Sequence, residues 1–200
     1  MWCGLLDARH FGLPMTRLRW FLIAIHATKD RGNFKWPDKI TSSTRPSLLS
    51  FWDVHASQFV ALHRGGKVWA RNLQVARDVF CRNLLSFGDV LIMDMHASQI
   101  LGCAKVDGLC PCLLRSKCEH GIYFMVMDAG TGLEVKRLDS RDMGKLMGWK
   151  IADIDKFLEV LTKKHLRAAF GKGMCIPVIS VLLRELLSAQ GIAVRTVQCV

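Results

Sequence analysis

Two arginines enter an apolar strand through a turn, and this restricts the chain more than any of its other features. Residues 11–21 read Phe-Gly-Leu-Pro-Met-Thr-Arg-Leu-Arg-Trp-Phe and run on into Leu22, Ile23, Ala24 and Ile25. Gly12 and Pro14 punctuate a turn. The apolar run after Arg19 reads as a buried strand and is too short to cross a membrane. Alternate side chains of an extended segment share a face, so Arg17 and Arg19 are expected to point the same way. A lone buried charge is costly, so the pair needs carboxylates, phosphates or carbonyl oxygens. The guanidinium offers each of these a planar fork of donors.

The chain has 200 residues, half of them hydrophobic (50%). That is enough for one sizeable core and excludes a largely disordered protein. A net charge of +11 and a pI near 9.6 favour a polyanionic partner, nucleic acid before acidic membrane. A solvated basic surface without a partner is the plain alternative. Asp7, Arg9 and His10 stand where a secretory signal has its apolar core, and the run from Met174 to Leu183 ends at Arg184-Glu185. No membrane span is expected. The cysteines (Cys3, Cys81, Cys103, Cys110, Cys112, Cys118, Cys175, Cys199) are then read as reduced thiols. The expected location is intracellular, and nuclear if the source is eukaryotic.

Residues 28–50 are rich in Lys, Arg, Ser, Thr and Pro and read as loop. Leu73, Ala76, Val79, Phe80, Leu84 and Leu85 fall on helical spacing, with Asn72 as N-cap and Gly88 as stop. Residues 90–95 and 122–127 read as strands. Asp139 caps a short helix reaching Met147, with Asp142 in its first turn. Residues 154–170 form one amphipathic helix, and 176–190 a last one, with Pro177 in its first turn and Gly191 ending it. A near-repeat pairs Asp53/His55 with Asp94/His96. Asp-x-His puts both side chains on one strand face, so a metal site is conceivable, but two similar strand ends explain the repeat more simply.

Gly12-Leu13-Pro14-Met15-Thr16-Arg17-Leu18-Arg19 resembles the eighth motif of the cytosine-5 DNA methyltransferases, Gly-Val-Pro-Gln-x-Arg-x-Arg, with Met15 in place of Gln. Residues 6–11 resemble its Leu-Asn-Ala-x-x-Tyr lead-in. Further resemblances follow in the family's order. Residues 111–116 resemble Pro-Thr-Leu-Thr-Arg-Ser, and residues 137–149, with one residue fewer after the Arg, resemble Arg-x-Leu-Thr-x-x-Glu-x-x-x-Leu-Gln-Gly-Phe. Residues 170–178 resemble the tenth motif, Phe-Gly-Asn-x-Val-x-x-Pro-Val. The family's Phe-x-Gly-x-Gly cofactor loop, Pro-Cys-Gln nucleophile and Glu-Asn-Val acid lie upstream of the eighth motif and have no counterpart here.

The resemblance implies an α/β fold: the C-terminal part of a doubly wound methyltransferase domain dependent on S-adenosyl-L-methionine, with an inserted irregular target-recognition lobe. Residues 1–27 would end the catalytic core, 28–108 form the recognition region, and 109–200 return to the core. The implied partners are DNA and the missing N-terminal catalytic half. In the family's reaction a cytosine is flipped out of the stack and attacked by a cysteine. Arg19 would reach the flipped base's carbonyl oxygen, while Arg17 braces the site by pairing with carboxylates. Gly171, Lys172, Gly173 and Met174 would close the cofactor pocket. Lys67, Arg71, Lys35 and Arg115 are the candidates for contact with a phosphate backbone. Cys110-Pro111-Cys112 is not the nucleophile, because it follows the eighth motif and Leu113 replaces Gln. Free thiols are preferred to a zinc site of Cys103, Cys110, Cys112, Cys118 and His120, whose spacing is unusual. Met15, Met147 and Lys172 replace polar residues of the family, which keeps an inactive DNA-binding remnant open. A cytosine-5 methyltransferase acting on RNA is a further alternative. Such a part-chain should expose apolar surface where its missing neighbours belong.

Overall fold

The computed structural model describes residues 1–39, 47–51, 66–82, 89–97, 108–129 and 132–193. The chain opens on strand β1 (Trp2–Asp7), whose partner is β2 (Leu18–Ile23) in an antiparallel pair that sets Leu6 opposite Arg19 and Asp7 opposite Leu18. The link between them is a 3-10 turn (Ala8–Phe11). It is capped by the Asp7 side chain, which accepts from the Arg9 N–H, and it ends at Gly12 in the left-handed region (φ 80°). Leu6, Phe21 and Ile23 pack on the main core. The opposite face carries Leu5, Leu18, Trp20 and Leu22, with Trp20 73% exposed. The run after Arg19 is therefore buried at alternate residues only, because this two-stranded sheet has a core on one side.

A second sheet has the order β3 (Val90–Asp94), β4 (Tyr123–Asp128), β5 (Leu133–Arg137), antiparallel throughout. Helix α1 (Lys67–Cys81) lays Trp69, Leu73, Ala76, Val79 and Phe80 over Leu91, Met93, Phe124, Val126 and Val135. The other face, with Val90, Ile92, Tyr123 and Met125, enters the main core. Burial on both faces explains why 90–94 reads as an unbroken apolar run. The ladder joins β3, from the segment expected to form the recognition region, to β4 beyond residue 108. Helix α1 begins at Lys67 rather than Asn72. Asn72 is not an N-cap; it lies buried and its Nδ2 donates to Met95 O (3.0 Å) and Ala97 O (3.2 Å).

Helices α2 (Arg115–His120), α3 (Ser140–Leu146), α4 (Ile151–Val160), α5 (Lys163–Lys172) and α6 (Ile176–Ala189) complete the fold. Asp139 and Asp142 form a capping box on α3, and Asp142 also meets buried Lys136 at 3.1 Å. The single helix expected over 154–170 is two. Leu161 turns extended, and Thr162 restarts the helix by accepting the His165 N–H at 3.3 Å. Helix α6 holds Pro177 in its first turn and is followed by left-handed Gly191, as expected. Among the described residues no single helix is long and apolar enough to cross a membrane.

Candidate functional site

The site is assembled by a short parallel bridge between Met15 and Cys110. The Cys110 N–H donates to Pro14 O (2.7 Å), and the Thr16 N–H donates to Cys110 O (3.0 Å). The Tyr123 hydroxyl then clamps the next residues, donating to Cys112 O (3.0 Å) and accepting the Leu114 N–H (3.2 Å). Residues 110–114 thus lie alongside the turn that leads to the two arginines.

Arg17 is 2% exposed. Its backbone N–H donates to Asp7 Oδ1 (2.9 Å), and Asp7 is also 3.1 Å from Arg9 Nε. Its Nη1 donates to Leu113 O (2.7 Å), and its Nη2 to Gly171 O (3.0 Å) and Gly173 O (2.6 Å). The expectation that the Arg17 guanidinium pairs with carboxylates is corrected: its partners are carbonyl oxygens from three points of the chain. Two of them lie at the end of α5, where carbonyls lack intrahelical donors and the helix dipole favours a cation. Arg19 is half-buried on the same face. Its Nη1 donates to Leu18 O (2.8 Å), and its Nη2 lies 3.6 Å from Cys112 Sγ, which is also 3.9 Å from Arg17 Nη1. Among the described residues Arg19 has no carboxylate partner.

The glycines of the segment that resembles the tenth motif do different work. A Cβ on Gly171 would stand 2.4 Å from Arg115 Cα, so Gly171 is what lets α5 approach α2. Gly173 offers its carbonyl to Arg17, while Lys172 and Met174 are exposed beside it. Left-handed Gly148 (φ 83°) lies against Pro177, and the Ile176 N–H donates to Met147 O (2.9 Å). Met15 and Met147, the two residues that stand in for Gln, are fully buried and both meet Cys175 Sγ, at 3.9 and 3.7 Å. A flexible thioether fills such a site without needing a hydrogen-bond partner.

Burial pushes the Cys110 thiol well above its ordinary range, and raises those of Cys118 and Cys175 to about 12 despite opposition from the nearby Arg17. Among the described residues no three His, Cys, Asp or Glu side chains are grouped to hold a metal ion. Cys103, Asp53 and His55 lie outside the described residues. Asp94 is committed elsewhere: it forms an ion pair with Lys117 and accepts the His96 N–H at 3.0 Å.

The basic candidates for nucleic-acid contact sit on separate elements. Lys67 starts α1, Arg115 starts α2, and Lys35 lies in the segment after β2; all three are exposed. Arg71, the fourth candidate, is half-buried. Its guanidinium bonds Asn72 Oδ1 (2.9 Å) and Ala97 O, holding α1 to the end of β3. Cys112 and Tyr123 were not singled out from the sequence as parts of this site. The Pro-Cys dipeptide and the single tyrosine of the chain were the available signals.

No family model and no curated protein matches this sequence. Among solved structures the chain is similar to the crystal structure of the S. pombe Dnmt2 methyltransferase, with 15% identity and a TM-score of 0.54. The match covers 93% of this chain and 57% of that chain. The fold is mixed α/β and is similar to part of that neighbour's fold, and the chain spans little more than half the neighbour's length.

Proposed function

We propose that this chain is the C-terminal portion of a cytosine-5 methyltransferase with DNA as its substrate, supplying the base-contacting arginine and the segments that close the catalytic domain. One observation carries the reading. Segments resembling the family, spread from residue 12 to residue 178, meet around Arg17: the turn before β2, the 111–114 stretch, and the loop between α5 and α6. The segment of residues 137–149 joins them through Gly148 and Met147 against Pro177 and Ile176.

In this reading Arg19 donates to the carbonyl oxygen of a flipped cytosine, a preorganised cation where negative charge develops. Arg17 acts through position, holding the Arg19 strand, the 111–114 stretch and the 171–174 loop in one register. S-adenosyl-L-methionine supplies an electrophilic methyl group when bound. Of the tenth-motif residues, exposed Lys172 suits its carboxylate and Gly173–Met174 forms one wall, while Gly171 is taken up by helix packing. These residues fit the cofactor only as an edge of a pocket whose remainder belongs to the missing half.

The test is Arg19→Ala in the complete enzyme. Turnover should fall more than affinity for nucleic acid, and wild-type turnover would remove the base-contact role. Met15, Met147 and Lys172 favour a second reading, a remnant that binds nucleic acid without chemistry. Methyl transfer by the complete protein, compared on duplex DNA and on transfer RNA, separates enzyme from remnant and DNA from RNA.

A further inference from the structure

The Arg17 guanidinium lies among four thiols. Three of them, Cys110, Cys118 and Cys175, are buried, and burial raises their thiols against the opposing influence of Arg17. Cys112 is the member of the cluster that solvent reaches. Its sulfur faces two guanidinium groups, at 3.6 Å from Arg19 and 3.9 Å from Arg17. Its backbone is held by the Tyr123 hydroxyl, so the sulfur is presented in a fixed place. Arg17 Nε is buried without a hydrogen-bond partner among the described residues, and Arg19 has one backbone partner on its own strand. Among the described residues the other accessible thiols are the exposed Cys3 and Cys81.

We propose that Cys112, bracketed by Arg17 and Arg19, is a modification site for peroxide, and that it is oxidised to a sulfenic acid. The sulfur attacks one peroxide oxygen, an S–O bond forms and the O–O bond breaks. The departing hydroxide takes the thiol proton and leaves as water. Sulfur loses two electrons and the peroxide gains them. Reactive cysteines occupy electropositive, partly exposed surroundings, whereas buried ones are inert. The two guanidinium groups favour this step because they can donate hydrogen bonds to the departing peroxide oxygen and to the oxygen of the product. The modification stands on this geometry and does not depend on the function proposed above. Its consequence does: a sulfenate would occupy the donors of Arg19 that the flipped base needs, so oxidation would switch off base binding.

The experiment uses the chain as it stands. The reduced protein is treated with a small excess of hydrogen peroxide, sulfenic acid is trapped with dimedone, and each cysteine peptide is quantified over time by mass spectrometry. Cys112 is expected to label about tenfold faster than Cys3 or Cys81, the scale of one charge-assisted contact in the transition state. Cys110, Cys118 and Cys175 should stay unlabelled. Arg19→Ala should bring Cys112 down to the rate of Cys3, and Arg19→Lys should fall between. Circular dichroism and the continued protection of Cys110, Cys118 and Cys175 show that each variant remains folded. Labelling of Cys112 no faster than Cys3, or unchanged in Arg19→Ala, overturns the proposal. Failure of the methyltransferase reading leaves these rates untouched, so the two ideas fail separately.

Discussion

Replacing Arg17 by Met should damage the fold well before any ligand is considered. Methionine keeps much of the stem and removes the guanidinium. Leu113 O, Gly171 O and Gly173 O then lose donors at 2.7, 3.0 and 2.6 Å, and the first two of these contacts are buried. A buried acceptor left without its partner costs about 1–3 kcal/mol, and hydrogen bonds from charged donors lie at the upper end of the usual range. Two buried carbonyls and one partly buried carbonyl give a loss of about 3–6 kcal/mol, discounted for the relief of no longer burying a charge. Whole domains are stable by only about 5–15 kcal/mol, so the variant should be marginal. Arg17→Lys keeps the cation at the end of α5 but reaches fewer carbonyls, and should lose about half as much. Urea unfolding followed by tryptophan fluorescence measures both variants, and hydrogen exchange at 169–175 locates the damage. A Met variant within about 1 kcal/mol of wild type, or a Lys variant no better than Met, would refute the view that Arg17 is the tie between these segments.

Other consequences are equally open to measurement. The Cys118 and Cys175 thiols are raised from 9.0 to about 12 by burial, so between those values the unfolded chain releases protons that the folded chain keeps. Stability should therefore fall as pH rises through this window, by about 1.4 kcal/mol per pH unit for each thiol, and Cys118→Ala should remove one thiol's share of the slope in urea titrations under reducing conditions. In Gly171→Ala the new methyl meets the Arg115 backbone at 2.4 Å, so the melting temperature should drop, with an overpacking cost of about 1–3 kcal/mol. Lys67→Ala and Arg115→Ala should each weaken binding to nucleic acids of any sequence and reduce the salt slope by about one, whereas Arg71→Ala should lower stability by loosening α1 from β3.

The parts of the fold that could be read in the sequence were those governed by local rules. Asp139 and Asp142 announce α3 because a capping box is written in four consecutive residues, and Pro177 with Gly191 brackets α6 for the same reason. Asn72 misled because a cap and a buried amide look alike in one dimension; only the carbonyls of Met95 and Ala97 tell them apart. The division of 154–170 into two helices turns on Thr162, whose capping role competes with an apolar pattern that runs straight through it. Strand β5, with Glu134, Lys136 and Arg137, carries too little apolar alternation to show itself, since Lys136 is buried by its ion pair with Asp142. At the site, the shared face of Arg17 and Arg19 follows from strand geometry alone. Their partners do not, because Leu113 and Gly171 stand 96 and 154 residues away from Arg17. Carbonyl oxygens carry no side-chain signature, so the substitution of carbonyls for the expected carboxylates could be seen only in three dimensions.

The central claim is that this chain holds one half of a methyl-transfer site. Its most direct test measures the transfer of labelled methyl from S-adenosyl-L-methionine to cytosine in duplex DNA. The chain is assayed alone and joined to an N-terminal half that carries the family's Phe-x-Gly-x-Gly loop and Pro-Cys-Gln nucleophile. The expected result is no transfer by the chain alone, transfer by the joined protein, and loss of that transfer in Arg19→Ala. Transfer by the chain alone, or by the joined protein at wild-type rate without Arg19, would contradict the account.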